Sequence, residues 1–115
     1  MMEPVMYIFL NKGIKMSKGK VAVQAAHAAV LSYQISKEDA KKKWNENNYT
    51  KIMLEALNEK HIEKISEYLQ QNYIKTTYVY DIGRTEVKPN TLTALGIEII
   101  DEEHQKEKLK VFKLY

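Results

Sequence analysis

The sequence predicts an α/β fold: a single three-layer α/β/α domain with a mixed sheet of four to five strands and helices on both faces. Segments with the spacing of buried strands alternate along the chain with segments that have a helical period. Turn residues such as Asn, Gly and Pro separate these segments. The length of 115 residues fits one domain, residues 1–115, with one hydrophobic core.

The first half of the chain predicts a strand, two helices and a second strand. The apolar run that starts at Val5 is too short to cross a membrane, so it is interpreted as a buried strand. Ser17 and Ser36 are residue types that cap helix N-termini, and each precedes a segment with helical spacing. The predicted elements are a strand over 5–10, helices over 18–34 and 37–47, and a strand over 50–54.

The second half predicts one helix and three strands. Asn58 is a helix cap, and apolar residues at spacings of three and four follow it. The β-branched and aromatic run that starts at Thr76 is typical of a strand, and a loop containing Pro89 comes after it. The predicted elements are a helix over 59–71, strands over 76–80, 95–100 and 110–114, and a charged turn over 101–108.

Composition excludes several classes of function. The chain has no cysteine, so disulfides, thiol nucleophiles and thiolate metal sites are absent. Neither a His-x-x-x-His pattern nor a carboxylate pair at ligand spacing occurs, so we expect no metal and no cofactor. The net charge of +3 suits an anionic partner. We expect a protein without a membrane segment, in a reducing, cytoplasmic compartment.

The start of the first predicted helix is rich in lysine. Lys15, Lys18 and Lys20 precede an alanine-rich run, and each exposed lysine there opposes the helix dipole by roughly 0.3–1 kcal/mol. Free N–H groups and ammonium groups together form a site for an anion such as phosphate. Lys20, Gln24 and His27 are spaced four and three apart, so they share one helix face and can meet one substrate.

A second polar cluster follows the strand that starts at Thr76. It contains a carboxylate, a guanidinium and three threonine hydroxyls. Loops at strand ends are where α/β domains usually bind ligands, so this loop is a candidate site. The residues of this cluster are Asp81, Arg84, Thr85, Thr91 and Thr93.

The two clusters together resemble the second family of peptidyl-tRNA hydrolases, found in archaea and eukaryotes. That family reads approximately K-M-G-K-G-K-x-A-A-Q-x-A-H-A and D-A-G-R-T-x-x-x-P-G-T-x-T-x-L-G-I. Here the blocks begin at Lys15 and Asp81 and align without gaps. Ser17 and Asn90 replace family glycines. In place of the family's Gly-Ile-Gly-Pro, this chain has Gly-Ile-Glu-Ile, with Glu98 at the third position. Asn90 can still adopt the left-handed conformation that glycine adopts readily.

The resemblance implies hydrolysis of the ester between a peptide and the terminal ribose of tRNA. Because no metal-ligand pattern occurs, we expect this hydrolysis to be metal-independent. Lys20 would stabilise the oxyanion of the tetrahedral intermediate or hold the ribose phosphate. Asp81 would orient or deprotonate the attacking water or position Lys20, and Thr85 would hold that water or a ribose hydroxyl. The remaining candidates, all substrate-binding, are Lys18, Gln24, His27, Arg84, Thr91 and Thr93.

Alternatives stay open at this point. Gln24 could simply be solvated, and His27 could be a packed histidine with a satisfied ring nitrogen. A non-catalytic tRNA-binding or RNA-binding module, or a protein-interaction module of the same fold, is the alternative function. Peptidyl-tRNA is the expected partner, and a homodimer is an expectation that comes from the resemblance alone.

Overall fold

The computed structural model describes residues 3–83 and 88–115, and in them a four-stranded sheet lies between helical layers. The α/β/α class and the mixed sheet predicted from the sequence are confirmed. The elements are β1 (Met6–Asn11), α1 (Lys18–Ile35), α2 (Glu38–Glu46), β2 (Lys51–Ala56), α3 (Glu59–Gln71), β3 (Thr76–Asp81), β4 (Thr91–Ile97) and α4 (Glu103–Glu107).

The strand order is β2-β1-β4-β3. β1 is parallel to β2 and antiparallel to β4, and β4 is antiparallel to β3. Strands β1, β2 and β3 therefore run in the same direction, and their carboxyl ends lie at one edge of the sheet. Helix α1 begins just after β1, so its N-terminus lies at that same edge, where α/β domains usually bind their ligands.

Two apolar clusters cover the two faces of the sheet. All six residues of β1 are buried because helices cover both of its faces and strands flank both of its sides. One cluster joins the sheet to α1 and α2, and the other joins it to α3 and the segment after α4. The first includes Met6, Ile8, Leu10, Ala28, Ala40, Trp44 and Val79. The second includes Tyr7, Phe9, Leu54, Ile62, Ile65, Leu69, Leu95 and Leu109.

Small residues allow α1 to lie very close to β4. Ala28 and Ser32 are fully buried on the helix face that meets the sheet. A Cβ atom on Gly96 would overlap Ser32 Oγ and would lie 2.9 Å from Ala28 O. The glycine therefore fixes the separation between helix and sheet, and with it the position of the residues further up the same helix face.

Of the three helix-capping residues predicted from the sequence, two cap a helix in the structure. Ser17 caps α1 by accepting the backbone N–H of Lys20 at 3.2 Å, and Asn58 caps α3 by accepting that of His61 at 2.8 Å. The predicted cap at Ser36 is wrong. Its buried hydroxyl donates to Ser32 O at 2.7 Å and accepts the N–H of Ile99 at 2.8 Å. This buried hydroxyl therefore joins the end of α1 to Ile99, just after β4.

The end of the chain differs most from prediction. β4 covers Thr91–Ile97 rather than 95–100. The charged turn contains the short helix α4, and the predicted strand over 110–114 is reduced to a bridge between Leu54 and Leu114. Backbone hydrogen bonds of 2.9 Å from Glu55 N to Lys113 O and 3.0 Å from Tyr115 N to Met53 O flank that bridge. No helix within 3–83 or 88–115 is long and apolar enough to cross a bilayer.

Replacing Gly96 with alanine should destabilise the protein by about 1–3 kcal/mol, because the added methyl group overpacks the contact between α1 and β4. Urea unfolding measures the change. The control is Gly19→Ala, since a Cβ atom at Gly19 meets nothing within 4 Å. That variant should be neutral or slightly stabilising because alanine favours a helix more than glycine does. Equal effects of the two changes would contradict this account of the contact.

Candidate functional site

The candidate site lies at the sheet edge where α1 begins and β3 ends. The Nζ atom of Lys20 forms an ion pair with Oδ2 of Asp81. Both side chains are largely buried, with exposed fractions of 10% for Lys20 and 4% for Asp81. Two side chains that are distant in sequence therefore meet at the point where the topology predicts a site.

Asp81 is held on both carboxylate oxygens. Oδ1 accepts the backbone N–H of Gly83 at 2.5 Å, and Oδ2 accepts the side-chain amide of Gln24 at 3.1 Å in addition to Lys20. Gly83 has a φ of +79°, and a Cβ there would lie 2.5 Å from Pro89 N. Only glycine fits this turn easily, so the residue after Ile82 has a structural reason for its identity.

Gln24 connects the ion pair to the sheet. Its side chain is 1% exposed, its Nε2 donates to Asp81, and its Oε1 accepts the hydroxyl of Thr93 at 2.5 Å. The Thr93 hydroxyl also lies 3.2 Å from the backbone oxygen of Val79. The interpretation of Gln24 as a solvated side chain is wrong. Because both ends of the amide are paired, its orientation is fixed and it presents an N–H to the carboxylate.

The surroundings of Asp81 lower the pKa of its carboxyl group below the ordinary value of 3.8. The hydrogen bond from Lys20 is the largest cause, followed by the N–H of Gly83, while burial acts in the opposite direction. Electrostatic interactions with Lys20 and His27 lower the pKa further. Asp81 is therefore ionised at neutral pH and is a weak base.

A cleft of about 250 Å³ lies over the ion pair, and we call it the ion-pair cleft. His27 is exposed beside it, so the interpretation of this residue as a packed histidine is wrong. Sequence reasoning missed Tyr80 and Ile82, which are 53% and 62% exposed. Their position directly before and after Asp81 was the available signal. The lining residues are Lys20, Gln24, His27, Tyr80, Asp81 and Ile82.

The other candidates divide into three groups. Thr91 donates its hydroxyl to Lys88 O at 2.7 Å, so that group is used within the loop, and Thr93 is fully buried behind Gln24. Lys18 is exposed at the first position of α1. The predictions for Arg84 and Thr85 lie outside the described residues.

Two lysines shortly before α1 are exposed. Lys15 is exposed, and Lys12 forms an ion pair with Glu55 at 3.0 Å while remaining about half exposed.

Asn90 adopts a φ of +62°, the left-handed conformation expected from the sequence. In the part of the chain that the structure describes, no group of three or more His, Cys, Asp or Glu side chains is placed to hold a metal ion.

Comparisons with known proteins agree on one family. The family model described as peptidyl-tRNA hydrolase PTH2 matches residues 4–115. The chain is 35% identical to a peptidyl-tRNA hydrolase of Thermococcus onnurineus over 97 residues, which are 82% of each chain. It is 40% identical to that of Staphylothermus marinus over 96 residues, 78% of this chain and 77% of the relative. With that of Methanococcus maripaludis it shares 32% identity over 93% of this chain and 95% of the relative.

Replacing Lys20 with methionine should raise the pKa of Asp81, because the hydrogen bond from the ammonium group is the largest cause of its low value. An NMR titration of the Asp81 carboxyl carbon measures this pKa. Lys18→Met is the matched control: Lys18 lies in the same helical turn but is exposed, so the pKa of Asp81 should stay the same. An unchanged Asp81 pKa in the Lys20 variant would refute the assigned cause.

Proposed function

This chain belongs to the peptidyl-tRNA hydrolase PTH2 family, and on that basis we propose that it cleaves the ester between a peptide and the terminal ribose of tRNA. The activity is that of a hydrolase, an enzyme, acting on peptidyl-tRNA. The observation that carries the proposed mechanism is the buried pair of Lys20 and Asp81 under an open cleft.

The reaction is an acyl transfer to water. Water gives up one proton to solvent as its oxygen adds to the ester carbonyl carbon, and the carbonyl oxygen becomes an oxyanion. The carbon–oxygen bond to the ribose then breaks, the ribose oxygen takes up a proton, and the peptide leaves with a free carboxylate. Stabilising the oxyanion is usually the largest contribution a protein makes to such a step.

Lys20 supplies the positive charge for the oxyanion in this proposal. Its ammonium group lines the cleft and is largely removed from solvent, and a charge acts more strongly in such an environment than in water. Asp81 and the helix position of Lys20 hold the ammonium group in place before substrate arrives. A preorganised charge needs little rearrangement when the oxyanion forms.

Asp81 acts as a positioning residue rather than as the base. Its pKa is lowered, and both of its oxygens already accept hydrogen bonds from Gly83, Gln24 and Lys20. A carboxylate in that state has little affinity for the proton of water. Gln24 and Thr93 support Asp81 from inside the fold, and His27 contacts the substrate at the mouth of the cleft.

We propose that tRNA binds over the N-terminal end of α1. Lys15 and Lys18 are exposed there, and Lys12 lies nearby. Such lysines contact phosphates and add affinity without reading sequence. Arg84 keeps the substrate-binding role expected from the sequence, and Thr85 keeps the role of holding the attacking water or a ribose hydroxyl.

We further propose a cytoplasmic location and a homodimer. Peptidyl-tRNA arises during translation, which supports the cytoplasm. Val111 and Leu114 are each 73% exposed near the end of the chain, and neighbouring exposed apolar side chains of this kind support contact with a second copy.

Lys20→Met should reduce the kcat for N-acetylaminoacyl-tRNA by about 100-fold, the scale seen when an oxyanion donor is removed. The measurement is release of N-acetylamino acid, carried out in the presence of a chelator. Lys42→Ala is the control because Lys42 is exposed on α2, away from the cleft, and this variant should hydrolyse at the normal rate. A wild-type protein that binds the substrate without hydrolysing it would favour the non-catalytic module instead.

Thr93→Val should lower kcat by about tenfold with little change in KM, since it removes the hydroxyl that orients Gln24 and leaves a buried carbonyl oxygen unpaired. Thr93→Ser keeps the hydroxyl and should retain most of the activity. A purely structural role would make the two variants differ in stability but not in kcat at a temperature where both are folded.

A further inference from the structure

A second cleft, of about 270 Å³, continues from the ion-pair cleft along α1. We call it the apolar cleft. It shares His27 and Tyr80 with the ion-pair cleft, so the two form one continuous surface. The lining residues are His27, Val30, Leu31, Tyr78, Val79 and Tyr80.

The charges on this surface are unevenly distributed. Among the described residues, none that lines the apolar cleft is a lysine, arginine, aspartate or glutamate. Among the lysines of α1 and those just before it, the exposed ones lie at the opposite end, at Lys18 and Lys15. From Lys20 to Leu31 the helix rises about 16 Å, so the two ends of the surface are well separated.

The charges of the substrate are distributed as unevenly as those of this surface. Its ester carbonyl lies between the phosphates of tRNA on one side and the peptide, whose backbone carries no charge, on the other. If the carbonyl contacts Lys20 and the phosphates contact the lysines at the helix start, the peptide must extend toward Val30 and Leu31. A phosphate would gain little from an apolar cleft that no lysine or arginine lines, whereas an amino-acid side chain would gain from burial there.

We propose that the apolar cleft binds the side chain of the peptide residue that is ester-linked to tRNA, and that Val30 contributes to selectivity for apolar residues. This inference rests on the proposed function. The volume is smaller than that of a typical pocket for a drug-sized ligand, which suits one side chain rather than a long peptide.

The position of β3 adds support for a peptide as the occupant. In the described sheet β3 is an edge strand, and its Tyr78–Tyr80 segment borders the cleft. An edge strand leaves backbone N–H and C=O groups on its outer side without a sheet partner. An extended peptide can pair with such groups whatever its sequence, which a hydrolase that meets many different peptides requires.

The test compares two substrates that differ only in this side chain, N-acetylphenylalanyl-tRNA and N-acetylglycyl-tRNA. The variant is Val30→Asn, which removes apolar character without adding charge. Val30 is 58% exposed, so the fold should tolerate the change. The matched control is Val23→Asn, since Val23 is 47% exposed on the same helix but lines neither cleft. Circular dichroism verifies that both variants are folded.

We expect wild type to prefer the phenylalanyl substrate in kcat/KM by about tenfold, the scale set by apolar contacts in a pocket. Val30→Asn should remove most of this preference by slowing that substrate alone, and Val23→Asn should change neither rate. A wild type that hydrolyses both substrates equally would overturn the inference. So would equal losses on both substrates in Val30→Asn, which would place the terminal nucleotide in the cleft. Failure of wild type to hydrolyse either substrate would instead overturn the proposed function.

Discussion

The carboxylate of Asp81 is the group on which the site depends. A buried charge is costly unless opposite charge and hydrogen bonds compensate it. Here Lys20 and Gln24 on α1 and Gly83 on the loop supply that compensation together. The same contacts that make the carboxylate tolerable inside the protein therefore also fix the ammonium group at the floor of the cleft. The same contacts therefore serve both the stability of the protein and the geometry of the candidate site.

Those contacts require α1 to lie at one particular distance from the sheet. Gly96, Ala28 and Ser32 set that distance in the middle of the helix. Gln24 lies one turn closer to the N-terminus than Ala28, and its amide just spans the gap to Asp81, 57 positions further along the chain. Packing in the core thus determines the geometry at the sheet edge.

Local signals predicted much of the fold. Ser17 and Asn58 are exposed caps at helix starts, and α3 matches its predicted bounds of 59–71 because cap and apolar stripe agree. Ser36 gives the same sequence signal for a helix cap as these residues do. Its buried hydroxyl instead accepts the N–H of Ile99, so it does not cap α2. The last strand was wrong because the segment packs through Leu109 and makes only a bridge to β2, which no local pattern indicates.

The candidate site was predicted in part for similar reasons. Helical spacing brought Lys20, Gln24 and His27 to one face, and the loop after β3 supplied Asp81. Spacing could not show that Gln24 is buried while His27 is exposed, because that depends on how the helix is rotated against the sheet. Nor could it show that Tyr80 and Val30 flank a common groove, since residues on separate elements meet only through the tertiary fold.

The two outer edges of the sheet, here called its rims, differ in whether another part of the chain hydrogen-bonds to them. On the β2 side, the backbone of Lys113 and Tyr115 hydrogen-bonds to Glu55 and Met53, so the chain itself occupies that rim. On the β3 side, no described strand lies beyond Tyr78 and its neighbours. Fibre growth by edge-to-edge addition needs two open rims on every molecule. With one rim occupied, such addition stops at a pair of molecules, and the protein can keep an accessible edge without becoming a template for aggregation.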